Sequence, residues 1–166
     1  AQLSTAQARF GTSSLDITGA GTDNITVDST SDFGFGTGDF TVEFWIYRTG
    51  NVNGKVICDF RDTAATDQAI IIQGNGGNET DVYIGTTSIL TGTVATTLNA
   101  WNHIAVCRVG STITQYIDGA VSGSGTAATD LGVARQLTFG DKYDNSNSGP
   151  TAYLDELRVT KGAAKY

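Results

Sequence analysis

The sequence contains 166 residues, a length that fits one domain with a core of its own. Threonine (25) and glycine (21) are abundant, leucine (8) is scarce and methionine is absent. Residues that favour strands and turns therefore outweigh strong helix formers, which excludes a helical bundle or an α/β enzyme built on long helices. The net charge is −7 and the ten basic residues are scattered, which argues against nucleic acid as a partner, and no apolar run approaches the ~20 residues of a membrane span.

Short strand patterns recur along the whole chain, separated by clusters of Gly, Asn, Asp, Ser and Thr. In chain order, strands are predicted over residues 14–18, 24–28, 39–47, 55–61, 68–73, 81–86, 102–109, 113–117, 136–139 and 154–160. The run 39–47 is the clearest, because its residues alternate between two faces. One face carries Phe40, Val42, Phe44 and Ile46, and the other carries Thr41, Glu43, Trp45 and Tyr47.

The connections between these runs predict antiparallel pairing. Asp118-Gly119 separates the run 113–117 from Ala120 and is a strong hairpin signal, since glycine supplies the positive φ that a tight turn needs. Many short strands with turn signals between them indicate an all-β, two-layer antiparallel β-sandwich, and no linker divides residues 1–166. We expect five large aromatic side chains to fill the core between the sheets: Trp101, Phe44, Phe40, Phe60 and Phe139.

The two cysteines lie inside apolar strand patterns and fit no metal-binding spacing. Cys58 follows Val56-Ile57, and Cys107 follows Ile104-Ala105-Val106. We expect two buried, reduced thiols, although a single bridge between two strands is also compatible with the sequence.

Four segments, taken in order, resemble the laminin G-like branch of the concanavalin A-like jelly-roll superfamily. They are FGTSSLDITG (10–19), GDFTVEFWIY (38–47), WNHIAV running on to YIDG (101–119), and YLDELRVTKGAAKY (153–166). The opening RFGTSSL and the closing DELRVTKGAAKY are most similar to copies in bacteriophage structural and tail-fibre proteins. The resemblance implies two antiparallel sheets, one of them concave, with the first and last strands adjacent.

The superfamily includes glucanases, so catalysis has to be weighed. Glycoside hydrolysis usually needs two carboxylates ~5 to 9.5 Å apart, and glucanases of this fold carry them on one strand as Glu-x-Asp-x-Glu. Here Glu43, Glu79 and Glu156 lie in separate segments. We therefore expect no enzymatic activity, and interpret Glu43 and Glu156 as structural partners of arginines, with Arg48, Arg108 and Arg158 as candidates. His103, the single histidine, has the packing and hydrogen-bonding role that the resemblance implies.

The resemblance also implies a metal site. In relatives whose last strand is similar to this one, an aspartate at the position of Asp155 often holds a structural Ca²⁺ together with main-chain carbonyls of the N-terminal region. Calcium accepts six to eight oxygen ligands of this kind. The alternative is that Asp155 accepts backbone N–H bonds or pairs with Arg158, without metal. The cluster 141–145 is rich in oxygen and is a second, looser candidate for a ligand-linked calcium ion.

Laminin G-like modules bind ligands through rim loops or the concave face. Sugar recognition combines hydroxyl-bonding amides and carboxylates with an aromatic face, which favours the loops 48–53, 61–67 and 141–148. The predicted ligand-binding residues are Asp141, Tyr143, Asp144, Asn145, Asn147, Arg48 and Arg61.

Two functions are compatible with this sequence. We predict a non-catalytic, lectin-like module on a virion surface or in another extracellular assembly, which binds host-surface glycan. The alternative is a purely structural or decoration module that contacts neighbouring subunits in a capsid, fibre or filament.

Overall fold

A computed structural model describes residues 1–17, 23–146 and 149–166. Within these ranges the chain forms 13 strands and one 3-10 turn at Ser31–Phe33. The strands are β1 (Gln2–Ser4), β2 (Ser14–Asp16), β3 (Ile25–Thr30), β4 (Phe40–Arg48), β5 (Val56–Asp59), β6 (Ile70–Gly74), β7 (Thr80–Ile84), β8 (Thr87–Leu90), β9 (Trp101–Val109), β10 (Thr112–Ile117), β11 (Ala120–Thr126), β12 (Arg135–Phe139) and β13 (Ala152–Lys161).

The strands form two antiparallel sheets, which confirms the predicted β-sandwich. The seven-stranded sheet has the order β1-β2-β13-β4-β9-β10-β11, and the six-stranded sheet has the order β3-β12-β5-β6-β7-β8. The strand predicted first, β2, pairs with the last strand, β13, as the resemblance implies. The short strand β1 lies outside β2 and was not predicted.

Strand β4 shows why the sheets pack. Its apolar residues Phe40, Val42, Phe44 and Ile46 are at most 1% exposed and point between the sheets. Phe60 and Phe139 join them, and the ring centroids of Phe44 and Phe139 are 5.2 Å apart. Large aromatic side chains contribute on the order of 2–3 kcal/mol each by such burial.

The prediction for Trp101 is wrong. This residue is only partly buried and lies on the outer face of the seven-stranded sheet. Asn102 and Ile104 are buried while Trp101 and His103 are partly exposed, so the alternation along β9 assigns the tryptophan to the outer side. Its large apolar surface therefore faces solvent rather than the core.

The predicted Asp118-Gly119 hairpin is confirmed. Strands β10 and β11 are paired from Ile117 opposite Ala120 outwards. Asp118 (φ 50°) and Gly119 (φ 83°) both adopt positive φ, the conformation of a type I′ turn.

Cys58 and Cys107 are buried and free, which agrees with the expected reduced thiols. Burial together with the neighbouring Asp59 raises the pKa of Cys58 well above its usual value.

In the described ranges we find no helix of the length and apolar character that crossing a bilayer requires.

Candidate ligand-binding face

The outer face of the seven-stranded sheet carries a row of three aromatic side chains. Tyr47 lies opposite Tyr153 on one side and opposite Trp101 on the other. The ring centroids are 6.1 Å apart for Tyr47 and Tyr153 and 5.6 Å apart for Tyr47 and Trp101, both in edge-to-face geometry. All three side chains are partly exposed. We call them the aromatic row.

A second row lies two residues along the strands, ~7 Å away. Here Trp45 of β4 is opposite His103 of β9, with 5.1 Å between the ring centroids. The backbone N–H of His103 donates to the carboxylate of Asp118 (2.7 Å), which also accepts from the side-chain amide of Asn102 (2.8 Å). The hairpin turn after β10 thus brings an exposed carboxylate to the edge of the sheet.

Glu43 forms the bottom of a pocket beside these rows. Its carboxylate is 5% exposed and is held by Arg158 (2.6 Å), by the hydroxyl of Tyr166, which donates at 2.6 Å, and by His103 Nε2 (3.2 Å). Burial raises the pKa of Glu43, but the hydrogen bonds from Tyr166 and Arg158, with the charges of Arg158 and His103, outweigh burial and lower the pKa below its ordinary value. The lining residues of this pocket, called here the Glu43 pocket, are Glu43, Trp45, His103, Asp118, Arg158 and Tyr166. The predicted pairing of Glu43 with an arginine is confirmed for Arg158. The same prediction for Glu156 is wrong, because its carboxylate has no arginine partner within the described ranges.

The C-terminal segment reaches this pocket because Thr41 fastens it to β4. The hydroxyl of Thr41, a fully buried residue, donates to the carbonyl oxygen of Ala163 (3.0 Å) and accepts from the backbone N–H of Lys165 (2.9 Å). The ring of Tyr166 then lies 5.7 Å from those of both His103 and Tyr116.

An N-terminal segment covers the other side of the second row. The backbone N–H groups of Arg9 and Phe10 donate to Asp155 Oδ2 at 2.9 and 3.2 Å. This bonding places the guanidinium of Arg9 4.1 Å from the centroid of the Trp45 ring. The centroid of the Phe10 ring lies 6.0 Å from that of Trp45, in edge-to-face geometry.

Both carboxylate oxygens of Asp155 accept backbone hydrogen bonds. Its second oxygen accepts from the backbone N–H of Glu156 (2.9 Å), so N–H donors face both oxygens where a cation would need further oxygen ligands. Within the described ranges no group of three His, Cys, Asp or Glu side chains comes together to hold a metal ion. The observed bonds are those of the alternative, in which Asp155 accepts backbone hydrogen bonds.

A β-bulge next to Asp155 shapes this face. Asp155 pairs with Trp45, and the register then shifts so that Arg158 pairs with Glu43. Glu156 lies in the bulge at φ 52°. Its exposed side chain lines a small pocket of about 140 Å³ with Phe10, Glu43, Trp45, His103 and Arg158.

Some of the predicted loop residues lie together elsewhere. Arg61 is bound to the fully buried Asp59 (2.6 Å), and its guanidinium lies 4.7 Å from the centroid of the Tyr143 ring. The backbone N–H of Tyr143 donates to the same aspartate. Asp144 is exposed, so this loop presents one aromatic ring and one carboxylate to solvent.

The remaining predicted residues have different surroundings. Asp141 is buried, and Asn145 is exposed and accepts from Asn24 (2.8 Å). Arg48 is buried at the end of β4 and donates to the carbonyl oxygens of Thr96 and Gly50. Asn147 lies outside the described residues.

The aromatic face was not among the predicted sites. One signal for it was present, since Glu43, Trp45 and Tyr47 occupy the non-core face of the strand at 39–47. The partners of these residues come from β9, β13 and both ends of the described chain, and only the sheet order brings them together.

Comparison with known families identifies the class of this chain. Residues 19–165 match the family Laminin_G_3, described as the concanavalin A-like lectin/glucanases superfamily, and the chain belongs to this family. No curated protein matches the sequence.

Solved structures of similar fold include an arabinanase domain, a carbohydrate-binding module and a pentraxin. Domain 4 of AbnA, an extracellular GH43 arabinanase from Geobacillus stearothermophilus, in complex with arabinotriose, has a TM-score of 0.73 and 18% identity, covering 99% of this chain and 78% of that one. The carbohydrate-binding module CBM66 from Bacillus subtilis has a TM-score of 0.56 and 14% identity, with coverage of 83% and 82%. A heptameric SAP-like pentraxin from Limulus polyphemus has a TM-score of 0.58 and 14% identity, with coverage of 84% and 68%. At these identities the likeness concerns the fold alone.

Proposed function

We propose that this chain is a carbohydrate-binding module that holds an oligosaccharide on the outer face of the seven-stranded sheet. The observation that carries the proposal is the aromatic row beside the Glu43 pocket. Partly exposed aromatic rings give sugars an apolar surface for stacking, and the adjacent polar groups satisfy hydroxyl groups. The complex of AbnA domain 4 with arabinotriose supports this choice, since that domain has the same fold.

The spacing of the face suits a short chain of sugars. Tyr47, Trp45 and Glu43 follow one another at every second position of β4, so they span ~14 Å along the strand. An extended oligosaccharide of about three residues has a comparable length. We therefore infer a site for an internal stretch of a polysaccharide rather than for a single terminal sugar.

We also propose that the module does not catalyse hydrolysis. A glycosidase needs a carboxylic acid that stays protonated. The environment of Glu43 lowers its pKa, and Arg158, Tyr166 and His103 already occupy its oxygens. The carboxylate nearest to the bottom of the pocket is therefore suited to organising the site and unsuited to protonating a leaving group.

Affinity electrophoresis tests the binding proposal. We expect arabinan or another neutral polysaccharide in the gel to retard the wild-type protein, and Trp101→Ala to abolish the retardation. The circular-dichroism spectrum of this variant should still be that of a β-sheet protein. Val109→Ala, at the exposed opposite end of the same strand, is the matched control and should migrate like wild type. Equal migration of wild type and Trp101→Ala across all polysaccharides would overturn the proposal.

A second candidate, the assembly module, is favoured by an apolar cavity of about 250 Å³ between β1, β2 and β13 of one sheet and β3 and β12 of the other. It is lined mostly by aliphatic side chains, including Leu3, Leu15, Val27, Leu137 and Leu154, and Leu3 is 78% exposed. Exposed apolar surface of this kind marks contact sites. Light scattering tests this function, since a stable contact between copies needs more than ~1,000 Å² of buried surface and would give a dimer or larger species.

The setting in an extracellular assembly or on a virion remains a proposal. It rests on the resemblance of the two terminal segments to bacteriophage structural proteins. Detection of this chain by mass spectrometry in purified virions or extracellular assemblies from its source would support this setting. Absence of the chain from both would contradict the proposal.

A further inference from the structure

Glu156 adopts a backbone conformation that its residue type does not favour. Among the described residues, five besides glycine have positive φ, and four of them are Asn or Asp: Asn78, Asn99, Asp118 and Asn145. Short polar side chains tolerate the left-handed region because they bond to the local backbone. Glutamate has no such compensation, so Glu156 at φ 52° is a strained position.

The β-bulge explains why the backbone has a positive φ at Glu156, but it does not explain why the residue there is a glutamate. One extra residue between Asp155 and Arg158 keeps both of these side chains on the outer face. Glycine would provide the same φ without strain. The presence of a carboxylate at this position, where glycine would be unstrained, therefore requires an explanation other than the backbone geometry.

Structural contacts do not supply that reason. In the described part of the chain the carboxylate of Glu156 has no hydrogen bond or ion pair, and Arg158, its charged neighbour, is bound to Glu43. The side chain is exposed beside the rings of Phe10 and Trp45. An exposed carboxylate with all of its acceptor positions open, next to aromatic rings, is suited to hydroxyl donors.

We propose that Glu156 is a ligand-contacting residue, whose carboxylate accepts hydrogen bonds from hydroxyl groups of a neutral sugar in the pocket formed with Phe10, Trp45 and Arg158. This inference rests on the proposed function and names the ligand class. Arg158 is bound to Glu43 and Arg9 lies against the Trp45 ring, so the unpaired carboxylate of Glu156 and the net charge of −7 disfavour sugars that carry a carboxylate of their own. The strain at Glu156 is then a stability cost retained for binding.

Three variants separate the backbone from the side chain. Glu156→Gly relieves the strain and removes the carboxylate, so we expect the melting temperature to rise by about 2–4 °C and the affinity for neutral polysaccharide to fall roughly tenfold. Glu156→Gln keeps the strain and removes only the charge, so its melting temperature should equal that of wild type while its affinity falls. Asn99→Gly is the matched control at an exposed positive-φ position and should leave affinity unchanged.

Affinity electrophoresis in gels containing arabinan, hydroxyethylcellulose, xylan or polygalacturonate measures these effects, with melting followed by circular dichroism. The expected result is retardation of wild type by a neutral polymer and not by polygalacturonate, with weaker retardation of both Glu156 variants. If Glu156→Gly is retarded as strongly as wild type while Trp101→Ala is not retarded, the assignment of Glu156 is overturned and the proposed function stands. If no polymer retards wild type, both are overturned, and preferential retardation by polygalacturonate overturns the ligand class.

Discussion

Arg158 lies 2.6 Å from Glu43 because the β-bulge at Glu156 changes the side-chain phase of β13. Asp155 points to the outer face, and strict alternation would turn Arg158 toward the core. The extra residue restores the outward direction, so that the guanidinium meets a carboxylate that is otherwise almost buried. A local irregularity of β13 therefore determines the charge balance of the candidate binding face.

Removing the charge of Glu43 should destabilise the fold in a pH-dependent manner. We expect Glu43→Gln to cost about 1–2 kcal/mol at neutral pH, since Arg158 is largely exposed and loses only part of a charge-assisted bond. The folded-state pKa of Glu43 is lowered, so its contribution is complete above the unfolded-state pKa near 4.5 and is lost as pH falls through the folded-state value. Urea titrations from pH 7 to 3 should show the two proteins converging. Glu79→Gln is the control, and a constant difference down to pH 3 would contradict the prediction.

The hydroxyl of Thr41 should be necessary for the position of the C-terminal segment. Thr41→Val keeps the volume and removes both hydrogen bonds to the C-terminal segment, together with a contact of the hydroxyl with Cys107 Sγ (3.3 Å). We therefore expect a loss of about 1–2 kcal/mol in the free energy of unfolding. Amide exchange at Lys165, followed by NMR, should accelerate strongly, with strand β4 still protected. Thr112→Val, at an exposed position of β10, should change neither quantity. Unaltered protection of Lys165 in Thr41→Val would show that other contacts hold the segment.

Asp155 offers a direct test of the calcium hypothesis. Because backbone N–H groups bond to both of its oxygens, we expect the same melting temperature in calcium and in chelator. Asp155→Ala should lower the melting temperature equally in both conditions, since it releases Arg9 and Phe10. A calcium-dependent rise in melting temperature that disappears in Asp155→Ala would instead establish the metal site.

The buried pair of Asp59 and Arg61 should be a structural element. Arg61→Ala leaves a fully buried carboxylate without its partner and should cost about 3–5 kcal/mol in unfolding experiments. Arg135→Ala, which removes a more exposed ion pair to Asp62 at 3.5 Å, should cost less than about 1 kcal/mol. Comparable losses in the two variants would contradict the assignment.

The loop of Tyr143 and Asp144 is tested separately from that pair. Tyr143→Ala and Asp144→Ala alter the surface of the loop, and the Tyr143 variant retains the ion pair beneath the ring. If the loop binds glycan as the sequence predicts, both variants should lose retardation in the polysaccharide gel while Trp101→Ala keeps it. Wild-type retardation of both would exclude this loop as a binding site.

Local patterns were sufficient to predict most of the strands. The alternation in β4 and the turn at Asp118-Gly119 involve neighbouring residues, so periodicity and turn chemistry determine them. Trp101 shows the limit of such reasoning. Its large apolar side chain suggested the core, but its position in β9 assigns it to the outer face, and the phase of one strand against its neighbours is a tertiary property.

The candidate site depends on long-range contacts even more strongly. Glu43 and Tyr166 are 123 positions apart, and Asp155 and Arg9 are 146 apart, yet each pair is bonded directly. No local spacing encodes these pairs, because they arise from the order in which strands enter the sheet. The loop 141–148 was predicted as a glycan-binding site because its Asn and Asp residues are adjacent in the sequence and can be recognised without the sheet order.

The phenol of Tyr166 at the carboxylate of Glu43 has a practical consequence for recombinant work. An affinity tag or fusion partner joined after this residue would begin beside the Glu43 pocket and compete with soluble sugars for it. Protein intended for glycan screening should therefore carry its purification handle at the other terminus.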